Sequence, residues 1–66
     1  MAILKVIELL ASSNESWEDA TAQGVKKASK SLKNIRSAYV QEHSVTVKDD
    51  EVKEYRVNLK VTFEVD

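Results

Sequence analysis

Strict alternation of apolar and polar residues runs through the end of the chain, in the segment EYRVNLKVTFEV (54–65). Every second residue is apolar, and the set is Tyr55, Val57, Leu59, Val61, Phe63 and Val65. This period of two predicts one long β-strand with an apolar face and a polar face. Such a strand spans about 40 Å, whereas a compact chain of 66 residues is only about 30 Å across. The strand is therefore longer than the compact body that one chain can form.

Two further segments predict strands. The segment ILKVIELL (3–10) is apolar on nearly both faces, which predicts a central position in the sheet or coverage on both sides. The segment SAYVQEHSVTVK (37–48) changes the parity of its apolar positions, which predicts a β-bulge near residues 42–44. The acidic segment DDEV (49–52) predicts the turn of a hairpin that joins this strand to the last one.

Helical spacing replaces strand alternation after the polar segment ASSNES (11–16). Ser16, followed three residues later by Asp19, predicts a helix N-cap. The spacing predicts a helix of about 19 residues that ends near Asn34. Glycine inside a helix costs about 1 kcal/mol, so Gly24 predicts a close approach of the helix to the sheet. The apolar and small residues form one stripe: Trp17, Thr21, Gly24, Val25, Ala28, Leu32 and Ile35.

The predicted order is β-α-β-β, an α+β fold in which a three-stranded antiparallel sheet wraps around one helix. We expect a single domain that comprises residues 1–66. A chain this short buries only about 60% of its unfolded surface, and the sequence contains no cysteine that could form a stabilising disulfide. One helix cannot cover both the long strand and the two-faced first strand. We therefore expect the excess apolar surface to pack on other copies of the chain.

Charge and composition exclude several functional classes. The chain has 10 Lys+Arg, 11 Asp+Glu and a net charge of −1, so it lacks the basic field that nucleic-acid binding requires. A single glycine excludes the phosphate-binding loops of nucleotide-binding proteins, and no nucleophile elbow is present. We expect no enzymatic activity. No apolar run is long enough to cross a bilayer and no signal peptide is recognisable, so we expect a cytoplasmic protein without a membrane partner.

Several residues are candidates for ligand binding, and most of them also have a purely structural interpretation. Trp17 is a packing anchor or a ligand platform, and His43 is a surface residue or a ligand. Arg56, a planar fork donor, forms a salt bridge between subunits or binds an anion or an acceptor-rich ring edge. Glu15 and Glu42 are candidate oxygen ligands for Ca²⁺ or Mg²⁺, completed by water or by another subunit. One further set forms a solvated helix face or a patch that binds polyanions: Lys26, Lys27, Lys30 and Lys33.

Four segments in order make the whole chain resemble the dodecin family: KVIEL, SSNESWEDA, NIRSAYVQE and EYRVNLKVTFEVD. Within that family the chain looks most like the branch called calcium dodecin. The resemblance implies a hollow homododecamer whose sheets wrap around its helices and which stores or scavenges flavin without catalysis. It also implies a divalent ion near Glu15 and Glu42, since the equivalent positions are acidic and close to such an ion in some dodecins.

The chain departs from the flavin-binding pattern of the family at two positions. Ser37 stands where those dodecins carry a tryptophan that stacks on the flavin ring, and Arg56 stands where they carry a glutamine that bonds its polar edge. Arginine only donates hydrogen bonds, so Arg56 cannot accept one from the imide N–H of the ring. Tyr39 lies on the same strand face as Ser37 and is the candidate substitute for the stacking partner.

The sequence thus predicts a homododecameric storage protein that binds Ca²⁺ or Mg²⁺ and has a weakened or altered site for riboflavin or FMN. Two alternatives remain open at this point. One is a true flavin-buffering dodecin that uses Tyr39 and Arg56. The other is a structural or protein-interaction module.

Overall fold

The computed structural model describes residues 2–65, and its elements follow the predicted order. They are β1 (Ile3–Ser13), α1 (Trp17–Ala28), β2 (Ile35–Lys48) and β3 (Glu51–Val65). Both β1 and β2 pair antiparallel with β3, so the strand order in the sheet is β1-β3-β2. The predicted β-α-β-β fold with a three-stranded antiparallel sheet is confirmed.

The central strand is β3, so the first of the two alternatives for β1, a central position, is wrong, and its coverage on both sides stays a prediction. The fully buried side chains of the core come from β3 and α1: Val57, Leu59, Val61 and Ala20. The N-terminal strand β1 is an edge strand of the sheet. Several of its apolar side chains are uncovered within one chain, and the most exposed are Ile3, Leu4, Val6 and Leu10. β1 is therefore apolar on both faces, although a single chain leaves much of that apolar surface exposed.

The N-terminal half of α1 agrees with the sequence-based predictions. The Ser16 hydroxyl caps the helix, because its Oγ accepts a hydrogen bond of 2.9 Å from the Asp19 backbone N–H. Farther along, the helix lies very close to the sheet at Gly24. A Cβ atom at that position would lie 3.0 Å from the Ala11 Cβ and 3.1 Å from the Leu59 Cδ1. The predicted close approach is confirmed.

The C-terminal end of α1 lies earlier than predicted. The helix ends at Ala28 with Ser29 as its C-cap, so the predicted helix of about 19 residues reaching Asn34 is wrong. A turn follows, in which the Leu32 N–H donates to the Ala28 carbonyl oxygen at 2.8 Å. Leu32 and Ile35 still pack against the core. The apolar stripe continues past the helix because a turn and the start of β2 reach the same core.

The turn of the β2–β3 hairpin is shorter than the predicted segment 49–52, because Glu51 and Val52 already belong to β3 and pair with β2. Asp49 and Asp50 form the turn with positive φ angles of 53° and 64°, the conformation that tight two-residue hairpin turns require. The register shifts between Val40 and Glu42, one step before the predicted bulge at residues 42–44. Two further shifts lie between Ile35 and Ser37 and between Thr46 and Val47. The hairpin itself is confirmed, and so is an irregularity that borders the predicted segment at Glu42.

The long hairpin makes the chain an elongated body. Its principal extents are 50 × 19 × 14 Å and its radius of gyration is 13.4 Å, above the value of about 11 Å for a compact chain of this length. Val47 and Val52 near the hairpin turn are 64% and 50% exposed. Within residues 2–65, no helix has the length and apolar character that crossing a bilayer requires.

Candidate functional site

The sheet has an inner face, against which α1 packs, and an outer face. Residues directly opposite each other on paired strands share a face, so the register assigns each residue to one of the two. The inner face carries the buried residues of β3. The outer face consists of rows that cross β1, β3 and β2 in that order, namely Ser12–Arg56–Ser44, Leu10–Asn58–Glu42, Glu8–Lys60–Tyr39 and Val6–Thr62–Ser37.

The three candidate ligand-binding residues all lie on the outer face, but one chain does not bring them together. Ser37 is opposite Thr62, and Arg56 is opposite Ser44. The six positions from Arg56 to Thr62 along β3 correspond to about 20 Å. Tyr39 lies between these rows and is 66% exposed. A single ring system can therefore contact both Ser37 and Arg56 only if they belong to different copies.

The β-bulge decides which face Glu42 occupies. Val40 is opposite Leu59 and faces the inner side. Regular alternation would place the residue two positions later on the inner side as well. The register shift between Val40 and Glu42 instead sets Glu42 opposite Asn58, on the outer face. The bulge thus moves one candidate carboxylate to the same side of the sheet as Arg56.

Glu15 lies on a different element, in the loop between β1 and α1. The Ser13 hydroxyl organises this loop, because its Oγ donates to Asp19 Oδ2 at 2.6 Å and accepts from the Glu15 backbone N–H at 2.9 Å. Among residues 2–65, no group of three or more His, Cys, Asp or Glu side chains is placed to hold a metal ion. Ca²⁺ takes six to eight oxygen ligands, which is more than the Glu15 and Glu42 carboxylates supply.

A pocket of about 170 Å³ on the outer face brings Glu42 and Arg56 together. The pocket wall is both polar and apolar, and Leu10, one of its lining residues, is 73% exposed. Within the described residues 2–65, the Oδ1 atom of Asn58 is buried and has no hydrogen-bond partner. The pocket lining is Leu10, Glu42, His43, Ser44, Arg56, Val57 and Asn58.

Sequence reasoning did not single out Asn58. In the alternating segment it is one polar residue among several, and nothing in the local pattern distinguishes it from its neighbours. Its importance comes from the strand order, which places it in the middle strand between Leu10 and Glu42. Because β3 is the central strand, side chains on both sides can cover Asn58 in a way that they cannot cover a residue on an edge strand.

Trp17 acts as a packing anchor on the inner side of the sheet. It packs against the core, and its indole Nε1 donates to the Ser44 carbonyl oxygen at 2.9 Å. The His43 and Tyr55 rings contact it edge-on, with centroid distances of 4.7 and 5.2 Å. The packing interpretation of Trp17 is confirmed, and His43 is an exposed strand residue that contacts the indole.

Family and sequence comparisons agree on one family. The family model described as Dodecin matches residues 3–66. The curated protein calcium dodecin from Mycobacterium tuberculosis is 37% identical to this chain over 65 residues, which cover 98% of this chain and 92% of that protein. The similarity therefore extends over nearly the whole of both sequences.

Solved structures match the fold over the same length. A crystal structure of the calcium chelating antigen calcium dodecin from Mycobacterium tuberculosis, described as having a novel calcium-binding site, matches with a TM-score of 0.86 and 36% identity over 97% of this chain and 91% of that chain. A single-residue mutant of the dodecin from Thermus thermophilus gives 0.93 and 32% identity, with coverages of 100% and 98%. The dodecin from Streptomyces davaonensis gives 0.94 and 26% identity, with coverages of 98% and 96%.

Proposed function

This chain belongs to the dodecin family, and from that premise we propose that it forms a homododecamer that binds a divalent cation, Ca²⁺ or Mg²⁺, and stores its ligands without transforming them. The observation that carries the proposal is the 37% identity to calcium dodecin along nearly the full chain. The family resemblance of the sequence is confirmed by the matching family model. The cation, the assembly and the storage role are our proposals for this chain.

The exposed apolar surface supports the proposed assembly. Leu4, Val6 and Leu10 of β1 are 52%, 56% and 73% exposed, and they lie on the outer face of the sheet together. The valines near the hairpin turn add a second exposed apolar surface. Exposed apolar patches of this kind mark association surfaces, and a chain of 66 residues without disulfides gains stability from association. The partner we propose is the chain itself.

Glu15 and Glu42 are the residues that we propose as cation ligands. Both side chains are exposed, and carboxylate oxygens are the ligands that Ca²⁺ and Mg²⁺ prefer. They lie on different elements of one chain, on the loop before α1 and on the outer face of β2. Water or a neighbouring copy in the assembly would complete the coordination sphere.

Calorimetric titration with Ca²⁺ tests the cation proposal. We expect the native protein to bind Ca²⁺, and Glu42→Gln to weaken that binding by about tenfold or more, since the variant keeps the size of the side chain and loses a charged ligand. Glu51→Gln is the matched control, because it removes the same charge near the hairpin turn. Equal affinities of the native protein and Glu42→Gln would exclude Glu42 as a ligand.

Flavin buffering is the second candidate function. The observation that favours it is the exposure of the Tyr39 ring on the outer face, on the same side of the sheet as the Arg56 pocket. Ser37 offers no aromatic face, and the loss of a stacking partner costs about 1–3 kcal/mol by analogy with base stacking. The colour of the purified protein separates the two candidates, because a flavin-loaded protein is yellow and loses that colour on denaturation.

A further inference from the structure

Basic residues cluster at the C-terminal end of α1 and in the turn that follows it. Residues 20–41 contain five of the ten basic residues of the chain and none of its 11 acidic residues. One of the five, Arg36, pairs with Glu64 at 3.0 Å. Within residues 2–65 the other four are exposed and form no salt bridge. These four form the lysine patch: Lys26, Lys27, Lys30 and Lys33.

The helix dipole accounts for only half of the lysine patch. Lys26 and Lys27 lie in the last turn of α1, where the partial negative charge of the helix end favours cations. That effect falls off within the last turn, and Lys30 and Lys33 lie beyond the end of the helix at Ala28. Their charges repel one another without a carboxylate to offset them. The patch therefore favours an anionic partner.

The composition of this surface restricts the class of partner. The apolar side chains nearby, Leu32 and Ile35, pack against the core, so the patch lacks the apolar side chains that an amphipathic surface inserts into a membrane. Residues 18–38 contain no aromatic side chain on which nucleobases could stack. The partner is therefore bound by charge and by polar contacts alone.

The turn after α1 also presents free hydrogen-bond acceptors. The carbonyl oxygens of Lys27 and Ala28 accept hydrogen bonds from backbone N–H groups of residues 30–32. Those of Ser29, Lys30 and Ser31 accept none from the backbone of residues 2–65, and all three residues are exposed. An ionised polyphosphate chain has no donor for these oxygens, whereas a peptide backbone has one N–H per residue. The surface thus suits an acidic peptide.

The acidic hairpin turn of another copy is a poor match for the patch. The turn region carries three acidic residues, Asp49, Asp50 and Glu51. Lys48 and Lys53 flank them and line the same pocket as Asp49 and Glu51. Two of the three negative charges are therefore offset within the same chain, so another protein is the better source of the acidic segment.

We propose that the lysine patch is a docking surface for an extended acidic segment of another protein. The carboxylates of that segment bind the four ammonium groups, and its backbone N–H groups donate to the free carbonyl oxygens of the turn. The surface lies within one chain and shares no residue with the proposed cation site. The inference is therefore independent of the proposed function.

Fluorescence anisotropy with a labelled decaglutamate peptide tests the docking surface. We expect the native protein to bind this peptide at low ionic strength and to lose affinity as salt is added, because salt screens exposed charges. Lys30→Gln combined with Lys33→Gln removes two charges outside the helix and should weaken binding about fivefold, as two exposed ion pairs predict. Lack of binding at low ionic strength overturns the inference.

The matched control is Lys48→Gln combined with Lys53→Gln, which removes the same charge beside the hairpin turn. Ile35 and Lys48 are the two ends of β2, about 40 Å apart, so the control charges lie far from the patch. We expect the control to keep the native affinity within about twofold, since charges beyond a Debye length are largely screened. Equal losses of affinity in the two double variants overturn the inference.

A second peptide tests the role of the backbone donors. Decaglutamate with methylated backbone nitrogens keeps every carboxylate and loses the N–H groups. We expect the native protein to bind the unmethylated peptide about fivefold more tightly, the effect of one hydrogen bond. Equal binding of the two peptides would show that charge alone is recognised and would overturn the assignment to a peptide segment.

Other occupants of the patch give different results. Inorganic polyphosphate of equal charge that binds more tightly than decaglutamate, through the same lysines, would overturn the inference in favour of a phosphate polymer. Phosphatidylserine vesicles that bind the protein when decaglutamate does not would overturn it in favour of a membrane surface. A lower mass of the Lys30 and Lys33 double variant in light scattering would assign the patch to contact between copies and would overturn it as well. The cation proposal stands in each case, because calorimetry with Ca²⁺ measures it separately.

Discussion

The indole N–H of Trp17 donates a hydrogen bond of 2.9 Å to the backbone oxygen of Ser44. This contact ties the first residue of α1 to the middle of β2, across the inner face of the sheet. His43 and Tyr55 hold the indole from its sides in edge-on contacts. One side chain thus fixes where the helix begins relative to the hairpin that carries the outer-face pocket.

Replacement of Trp17 by phenylalanine should lower stability. The variant keeps an aromatic ring but loses the donor to Ser44, and a lost hydrogen bond together with reduced packing costs about 1–3 kcal/mol. Denaturant unfolding followed by circular dichroism measures the change. Tyr39→Phe is the control, because Tyr39 is 66% exposed and its change should stay within about 0.5 kcal/mol. Equal midpoints for the native protein and Trp17→Phe would show that the anchor contributes little.

Gly24→Ala should also destabilise the protein, although alanine is the better helix former by about 1 kcal/mol. The added Cβ would lie 3.0 Å from the Ala11 Cβ, which is attached to the β1 backbone, and 3.1 Å from a methyl group of the fully buried Leu59. Overpacking of this kind costs about 1–3 kcal/mol. Thermal unfolding should show a lower melting temperature.

The double variant Gly24→Ala with Ala11→Gly is the control for that steric explanation. It removes the nearer of the two opposing atoms, so part of the lost stability should return. A single variant Gly24→Ala that melts at or above the native temperature would show that helix and sheet separate easily at this point.

Local patterns account for the parts of the fold that the sequence predicts. β3 can be recognised from its own residues alone. One face of the strand meets the core and the other does not, so apolar and polar residues alternate along it. The start of α1 is equally local, because the Ser16 hydroxyl caps a backbone N–H only three residues away. Both features can be predicted without knowing which strands pair.

Features that depend on pairing were not predictable in this way. The apolar pattern of β1 is the same for a central strand as for an edge strand that associates with another molecule, so its position could not be deduced. The end of α1 was misplaced because Leu32 and Ile35 reach the core from outside the helix. Glu42 and Arg56 line one pocket because the register of β2 shifts before Glu42. The amino-acid composition does not show at which residue such a shift occurs.

Assembly is open to direct measurement. Light scattering on the purified protein should give about twelve times the chain mass, as expected for a closed symmetric particle, and the chain mass is 7.4 kDa. Val6→Lys places a charge in the exposed apolar surface of β1 and should reduce that mass. Ser31→Lys, in the exposed turn after α1, is the control and should leave the mass unchanged. A stable monomer or dimer of the native protein at micromolar concentration contradicts the proposed assembly.

Riboflavin should bind weakly to the native protein. Without a stacking partner at Ser37, we expect a dissociation constant in the micromolar range or above, equivalent to about −8 kcal/mol or less favourable. Ser37→Trp combined with Arg56→Gln should strengthen binding by about tenfold or more, since it restores an aromatic face and an amide. Quenching of riboflavin fluorescence measures both proteins. Nanomolar binding by the native protein would show that Tyr39 or a neighbouring copy supplies the stacking that Ser37 lacks.

The central claim is that the folded protein holds a divalent cation, and the melting temperature with and without that cation tests it most directly. A ligand that binds only the folded state stabilises it, by about 2.7 kcal/mol at a concentration one hundred times the dissociation constant. We expect a higher melting temperature in excess Ca²⁺ than in a chelator, and a smaller difference in Glu42→Gln. Identical melting of the native protein in Ca²⁺, in Mg²⁺ and in chelator would contradict the claim.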